Sequence, residues 1–359
     1  MGQREMCCST SIVQGLKPVM MMLVVQAAYV GMNISYKLVA EVGMNFTVLV
    51  AYRNMFSAAL MLPLALIFER NRPKLTLGIL FQGFISGLLG ATMAQNFYIE
   101  SLGLTSATYA VAFNNLIPVI TFLIALCFRM EKLAIGTRTG RAKVVGILVC
   151  VGGTMIFTFY KGHEIVIWST DVNLLRKYSH QNSHVLHRNT RTQLLGSVLA
   201  LCSSISFALW LIFQGLPLPV LKYGHDVYHG INPVHCFALC RERDWSQWKL
   251  GWDIKLFTAV YSGVITSGLV LTLTAWCVRM RGPLFVAIFN PLGLLLVGLA
   301  ATLLLDEKLH LGSILGGVLI ICGLYMVLWT KREELKTMTE QPPSVLEESH
   351  SISNIASEQ

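Results

Sequence analysis

Charged residues are scarce in this chain. Asp, Glu, Lys and Arg together make up 13% of its 359 residues, whereas 54% are hydrophobic. Soluble domains carry about 25% charged residues, and their apolar residues recur at the period of an amphipathic helix or strand. The composition therefore excludes an ordinary soluble domain.

The motifs of common catalytic sites are also missing. The sequence contains no His-Glu-x-x-His, no Gly-x-Ser-x-Gly and no Gly-x-x-x-x-Gly-Lys loop, which mark zinc proteases, α/β-hydrolases and ATP-binding proteins. No pair of carboxylates lies inside an apolar run. His235, Cys236 and Cys240 lack the second ligand pair of a zinc site. We therefore predict no enzyme activity, no metal and no cofactor.

The chain consists instead of apolar runs separated by short polar breaks. Runs of about 20 residues have the length that crosses ~30 Å of hydrocarbon as a helix. We predict an all-α polytopic membrane protein whose lipid-facing helices span the bilayer at residues 18–38, 46–68, 77–98, 106–128, 142–160, 194–213, 255–277, 283–305 and 309–329. The tail 331–359 is rich in Ser and Glu, which favours disorder.

The net charge of +9 comes from basic residues at the ends of these runs. This distribution indicates membrane topology rather than a nucleic-acid partner. Lys17 precedes the first span, and the N-terminal segment 1–17 is therefore predicted to be cytoplasmic. Lys331 and Lys336 place the tail on the same side. Two cytoplasmic termini require an even number of spans, so nine are one too few.

The missing span would lie at 215–241. This segment contains Lys222, Asp226, three prolines and three histidines. A Lys or Asp at the centre of a membrane helix costs about 2.5–3.5 kcal/mol, and proline removes backbone hydrogen bonds that lipid cannot replace. We expect either that this isoform is impaired, or that the segment inserts as a forced, broken span.

Two sequence blocks occur twice in the same order. Tyr109-Ala-Val-Ala-Phe-Asn114 corresponds to Phe285-Val-Ala-Ile-Phe-Asn290, and Gly146–Gly153 corresponds to Gly316–Gly323. The chain therefore carries a duplication. A unit of five helices is odd, so the second copy enters the membrane inverted, as in transporters that alternate access around a midplane site.

At this point the sequence resembles the plant nodulin-21/EamA-like family of the drug/metabolite transporter superfamily, also called UMAMIT or walls-are-thin-related proteins. The segments that carry the resemblance include Gln95-Asn-Phe-Tyr98, Thr105-Ser-Ala-Thr-Tyr-Ala-Val-Ala-Phe-Asn-Asn115, Trp276-Cys-Val-Arg-Met-Arg-Gly-Pro283 and Asp306-Glu-Lys-Leu-His-Leu-Gly312. The resemblance implies two EamA-type repeats at 18–160 and 194–330, joined by an extramembrane loop at 161–193. It implies a carrier of amino acids, with auxin-like indoles as a variation, in the plasma membrane or alternatively in the vacuolar membrane.

Polar residues inside spans are candidates for binding a small-molecule solute. A polar group is costly in lipid, so its presence there indicates a function. The substrate-binding candidates are Arg53, Gln95, Asn96, Tyr98, Asn114, Asn115, Trp276 and Asn290. Asn114, Asn115 and Asn290 are taken to start helices. Pro118 and Pro291 follow them and are predicted to loosen those helices.

Each of these assignments has a structural alternative. Asn and Gln also link helices by hydrogen bonds, and Tyr98 and Trp276 could be interface aromatics. Arg53 suits either a substrate carboxylate or an ion pair with a Glu at the outer face. Glu131 and Glu307, beside lysines at related helix ends, are interpreted as solvated ion pairs.

Two Gly-x-x-x-Gly patterns, Gly83–Gly87 and Gly312–Gly316, permit close approach of helices. They serve either packing within the bundle, which we prefer, or a homodimer.

Overall fold

The computed structural model describes residues 2–44, 46–68, 81, 84–105, 107–131, 136–160, 162–165, 190–215, 251, 253–305 and 309–340. Almost all of them are helical, which confirms the all-α architecture. The described strands are Glu164–Ile165 (β1) and Leu309–His310 (β2), which pair antiparallel.

Nine helices are described, four of them interrupted. Their bounds are Gly2–Glu41 (α1), Phe46–Phe68 (α2), Leu88–Met93 with Ala94–Leu104 (α3), Ala107–Asn114 (α4a) with Ile117–Cys127 (α4b), Arg138–Phe159 (α5), Thr190–Gly215 (α6), Ile254–Tyr261 with Ser262–Val270 and Leu271–Arg281 (α7), Pro283–Ala287 (α8a) with Asn290–Leu305 (α8b), and Leu311–Glu340 (α9).

Seven of the described helices are long and apolar enough to cross a membrane. They correspond to seven of the nine predicted spans. The predicted span 46–68 is present as α2, and the span predicted at 77–98 is described in part and continues to Leu104.

The first and the last helix extend furthest beyond their predicted spans. The first begins at Gly2 and runs through Pro18 without a break, so 2–17 is helical. The last continues to Glu340, so residues 331–340 of the predicted disordered tail are helical as well. This stretch reads Lys-Arg-Glu-Glu-Leu-Lys, which are good helix formers, and Lys336 pairs with Glu333 one turn away.

The helix ends collect at two faces of the bundle. At one face, Lys17 at the start of α1 lies 4.6 Å from the Trp276 ring near the end of α7, and Glu131 after α4b pairs with Lys143 of α5 and Lys331 of α9. We call this face the inner end, because the basic residues that set the predicted orientation gather there.

The opposite face is the outer end. Thr105, after α3, packs against Gly196 near the start of α6. Ile254, at the start of α7, packs beside Leu38 near the end of α1. The β1–β2 pair joins the end of α5 to the start of α9 at this face.

The described residues on either side of 216–252 lie at opposite ends of the bundle. At the inner end, a Cβ on Gly215 would lie 3.2 Å from Val278 Cγ1 and 3.4 Å from Pro283 Cδ, whereas α7 begins at the outer end. The predicted atypical segment 215–241 lies outside the described residues apart from Gly215. Its flanks, however, have the arrangement that an even number of spans requires.

The helices distort in repeat-related pairs. Leu88–Met93 of α3 is a π-helical stretch, and so is Ser262–Val270 of α7, which the repeat alignment places opposite residues 86–94. Helices α4 and α8, the next repeat-related pair, are both broken. π-helical turns inside α-helices often mark functional sites, so these four helices identify the region to search.

Candidate functional site

Helices α4 and α8 break in the same region of the two repeats, with the α8 break three residues earlier in the repeat alignment. The α4 break lies between Asn114 and Ile117, and the α8 break lies between Ala287 and Asn290. Asn290 begins the half-helix α8b, as predicted, although α8a precedes it in the same span. The prediction is wrong for Asn114, which ends α4a, and for Asn115, which lies in the break. The repeated blocks cover the end of α4a in the first copy, and most of α8a with its break in the second.

Each break is followed by a proline that lacks an N–H donor. A helix would require Pro118 to donate to the Asn114 carbonyl and Pro291 to the Ala287 carbonyl, and neither proline can. Tighter bonds close the chain around the gaps, as Leu116 N donates to Phe113 O at 3.0 Å and Phe289 N donates to Val286 O at 3.1 Å. Two backbone carbonyls thus lose their helical donor, one on buried Ala287 and one on exposed Asn114.

Two adjacent serines of α6 connect these distorted helices. The Ser203 hydroxyl donates to Ala94 O of α3 at 2.6 Å, and the Ser204 hydroxyl lies 3.0 Å from Phe113 O of α4a. These carbonyls belong to the residues just before Gln95 and Asn114. Helix α6 therefore brings two of the predicted site residues to the same level of the bundle.

Gln95 and three further predicted residues near this level differ in their hydrogen-bond partners. Asn115 is buried and its Nδ2 has no hydrogen-bond partner in the described structure, and the same is true of Gln95 Oε1. The Asn96 amide donates to Thr92 O of its own helix at 2.8 Å, and Tyr98 is half-buried. Asn115 and Gln95 are the two with buried polar atoms left to bind a solute.

Arg53 lies on α2 and faces α1. It is buried, and its Nη1 lies 3.8 Å from the Met32 sulfur. A thioether is a weak acceptor, so this contact helps to position the guanidinium. Both interpretations of Arg53 stay open.

Trp276 lies away from the breaks. It is 36% exposed, it shares an outward-facing stripe of α7 with Leu269 and Met280, and Lys17 covers its ring at the inner end. This is the usual placement of an interface aromatic. We therefore leave Trp276 out of the site that we propose below.

Sequence reasoning missed two interior polar groups. Gln26 of α1 is 2% exposed, packs directly against Gly293 just after the α8 break, and leaves its Nε2 without a partner in the described structure. Trp210 of α6 is equally buried and its indole Nε1 is also unpartnered there. A Cβ on Gly90 would lie 2.7 Å from the Trp210 ring, so the glycine in the π-helical stretch makes room for the indole. A lone Gln inside an apolar run was the available signal for Gln26.

The interior thus offers neutral hydrogen-bonding groups of both kinds. Unsatisfied donors are Gln26 Nε2, Asn115 Nδ2 and Trp210 Nε1, and an unsatisfied acceptor is Gln95 Oε1. Apolar rings lie in the same packed cluster, with Phe285 and Phe289 5.3 Å apart. Within the described ranges, no three His, Cys, Asp or Glu side chains come together as a metal site needs. Such a wall suits a small organic solute with polar ends.

The family model and the related proteins that match this chain point to the same family. The EamA-like transporter family matches residues 16–159. WAT1-related protein At1g25270 of Arabidopsis thaliana is 44% identical over 90% of this chain and 92% of its own length, and WAT1-related protein At1g68170 of the same plant is 41% identical over the same shares. Protein WALLS ARE THIN 1, also from Arabidopsis thaliana, is 35% identical over 88% of this chain and 83% of its own length.

A solved crystal structure has the same fold. It superposes with a TM-score of 0.62, covers 88% of this chain and 98% of its own, and is 13% identical in sequence. At that identity the likeness shows the fold alone.

Proposed function

The chain belongs to the EamA-like, WAT1-related family of plant membrane transporters, and we propose that it carries amino acids or related compounds such as auxin by alternating access. The observation that carries this proposal is the set of unpartnered polar atoms beside two matched helix breaks. In transporters built from inverted repeats, broken helices at the midplane form the substrate site.

The groups present match the chemistry of a zwitterion. An ammonium group needs acceptors. The Gln95 oxygen is one, and the Asn114 and Ala287 carbonyls, to which the prolines four residues later cannot donate, would be two more. A carboxylate needs donors, which Gln26 and Asn115 supply as amide N–H groups. The side chain, aliphatic or indole, would rest on the apolar rings of the same cluster.

A phosphate ester fits this interior less well. It would require several convergent Lys or Arg side chains. Among the described buried side chains the cations are Arg53 and Lys143, and Lys143 is already paired with Glu131. A carboxylate needs less positive charge than a phosphate does.

The alternative is a non-transporting or impaired isoform, because of the composition of 215–241. The flanks of this segment lie at opposite ends of the bundle, which favours a chain that completes the second repeat. We propose the plasma membrane as the site of action, with the vacuolar membrane as the alternative; a fluorescent fusion imaged against markers of both membranes decides between them.

Flux of radiolabelled amino acids and indole-3-acetate into oocytes tests the proposal. The chain is compared with a version whose 215–241 is replaced by a family-typical helix. We expect flux of at least one of these solutes in both. Flux in the replaced version alone would establish the impaired isoform, and flux in neither would overturn the substrate class.

Point variants then connect flux to the site. Asn115→Leu should raise KM about tenfold, since one hydrogen bond to a charged group contributes about 1.5 kcal/mol or more. Leu123→Ala is the matched control, because Leu123 lies on the same helix with its side chain exposed on the outside. An unchanged KM in Asn115→Leu would remove this residue from the site.

A further inference from the structure

A cluster of four charged side chains closes the inner end of the bundle. Lys143 Nζ lies 3.1 Å from Glu131 Oε2, and Lys331 contacts the other oxygen of the same carboxylate. Glu334 contacts Lys143 and lies 3.7 Å from Lys331. Glu131 is ion-paired, as predicted, but Lys143 is fully buried and Glu131 is 5% exposed, so the prediction that the pair is solvated is wrong. We call these residues the inner ion cluster.

The inner ion cluster joins helices that are far apart in sequence. Glu131 follows α4b, Lys143 lies in the second turn of α5, and Lys331 and Glu334 lie near the end of α9. A Cβ on Gly282, the positive-φ residue between α7 and α8a, would lie 3.4 Å from the Glu131 carboxylate. The Glu131 carboxylate therefore connects α4b to α5 and α9, and it lies beside the turn that joins α7 to α8a.

The end of α4b is built to direct Glu131 inward. Met130 N donates to Ala125 O at 2.9 Å and Arg129 N donates to Leu126 O at 3.1 Å, which together form a Schellman cap. Arg129 adopts φ 55° at the position where glycine is usual. A non-glycine residue there costs about 1–2 kcal/mol, so the chain keeps this turn at an energetic cost.

The bundle is packed on the inner side of the breaks. Phe122 of α4b belongs to a large buried apolar cluster together with Ile147, Phe285 and Val327. These packed apolar side chains close the inner side of the breaks.

We propose that α4b is the inner gate of the transporter, hinged at the break 114–116 and held shut by Glu131 through the inner ion cluster. The inference rests on the proposed function, because a gate presupposes transport. A buried ion pair adds little net stability but strongly disfavours arrangements that leave one partner unpaired. A buried ion pair therefore suits a gate in which the charged groups are either fully paired or fully hydrated. Opening would carry Glu131 away from Lys143 and Lys331 toward the cytoplasm.

Cysteine labelling from the inner face tests the gate without any solute. Thr121 on α4b is fully buried in this closed arrangement, and Thr121→Cys in a background whose other cysteines are replaced reports its opening. In inside-out vesicles, Glu131→Gln should speed labelling by a membrane-impermeant maleimide about tenfold or more. Lys143 and Lys331 would then share the single carboxylate of Glu334, and a buried cation that has lost a partner is strongly destabilising. Glu333→Gln is the matched control, because Glu333 pairs with exposed Lys336 at 2.8 Å on the same helix as Lys331. Equal labelling in the two variants would overturn the gate.

A cross-link provides the converse test, and it applies even where Glu131→Gln fails to fold. Glu131→Cys combined with Lys331→Cys, joined by a reducible bifunctional thiol reagent, should stop tritiated tryptophan flux and restore it on reduction. Binding of tritiated tryptophan from the outer face should persist while the link is in place. Undiminished flux through fully cross-linked protein refutes the gate. Absence of both binding and flux before cross-linking counts instead against the proposed substrate, and the labelling result still decides the gate.

Discussion

Gly153 on α5 and Gly316 on α9 meet backbone to backbone. A Cβ on Gly153 would lie 2.9 Å from the Gly316 carbonyl oxygen, and a Cβ on Gly316 would lie 2.6 Å from the Gly153 carbonyl oxygen. Gly146 and Gly323 repeat this reciprocal contact two turns away. These glycines belong to the two sequence blocks that the repeat makes equivalent, so the contact is that of a local two-fold axis between antiparallel helices. Gly316 of the Gly312–Gly316 pattern is thus used in packing within the chain.

This crossing predicts opposite effects at two adjacent glycines. Gly153→Ala should destabilise the protein by about 1–3 kcal/mol, because its methyl group meets the Ile320 backbone nitrogen at 2.8 Å and the interface is overpacked. Gly152→Ala meets nothing within 4 Å and should stabilise by up to about 1 kcal/mol, since alanine is the better helix former. Thermal unfolding of the purified protein in detergent measures both, and a shift of the same sign in the two variants would contradict the crossing.

The sidedness of the tail follows from the positions of the described helix ends. Lys331 lies at the same end of the bundle as Lys17 and Lys143, so the tail should be cytoplasmic along with the N-terminus. A glycosylation acceptor placed after Glu340 should remain unmodified. The same acceptor placed within 161–193 is the control and should be glycosylated. A glycosylated tail would establish a nine-span chain and with it an incomplete second repeat.

The spans were predictable because lipid imposes a length, but their ends were not. Hydropathy records where a helix is in hydrocarbon and does not record where the helix stops. Helix α1 therefore starts 16 residues before Pro18, at Gly2, and α3 reaches Leu104 beyond the predicted span. The repeat was predictable from sequence. The position of the break near Asn114 was not, because the residues before and after it are equally apolar and hydropathy does not separate the two half-helices.

The site was predictable only in part, because sequence shows polarity and does not show rotation about the helix axis. Gln95 and Asn115 are polar residues in apolar runs, and both have unpartnered buried atoms. Trp276 and Trp210 look alike in sequence. Packing turns the first toward the outside, while Gly90 lets the second into the interior. Ser203 and Ser204 were missed because serine in a membrane helix ordinarily bonds to its own backbone.

The fit of Trp210 beside Gly90 makes their substitutions interdependent. Gly90→Ala should destabilise by about 1–3 kcal/mol and lower flux, because its methyl group would lie 2.7–2.9 Å from three atoms of the indole. Trp210→Leu leaves space for that methyl group and should recover part of the lost stability. A double-mutant cycle of melting temperatures measures this coupling. Strictly additive effects would mean that the two residues do not contact each other in the folded protein.

The two prolines after the breaks should be required for transport but not for folding. Pro118→Ala supplies an N–H for the Asn114 carbonyl and Pro291→Ala supplies one for the Ala287 carbonyl, so each should stabilise by about 1 kcal/mol while lowering the maximal rate of flux. The rate falls because the half-helices become continuous and the carbonyls are no longer available to the solute. Pro18→Ala is the control, since α1 is continuous across Pro18 and flux should be unchanged. Wild-type flux in both Pro118→Ala and Pro291→Ala, measured at equal surface expression, would show that the breaks have no part in transport.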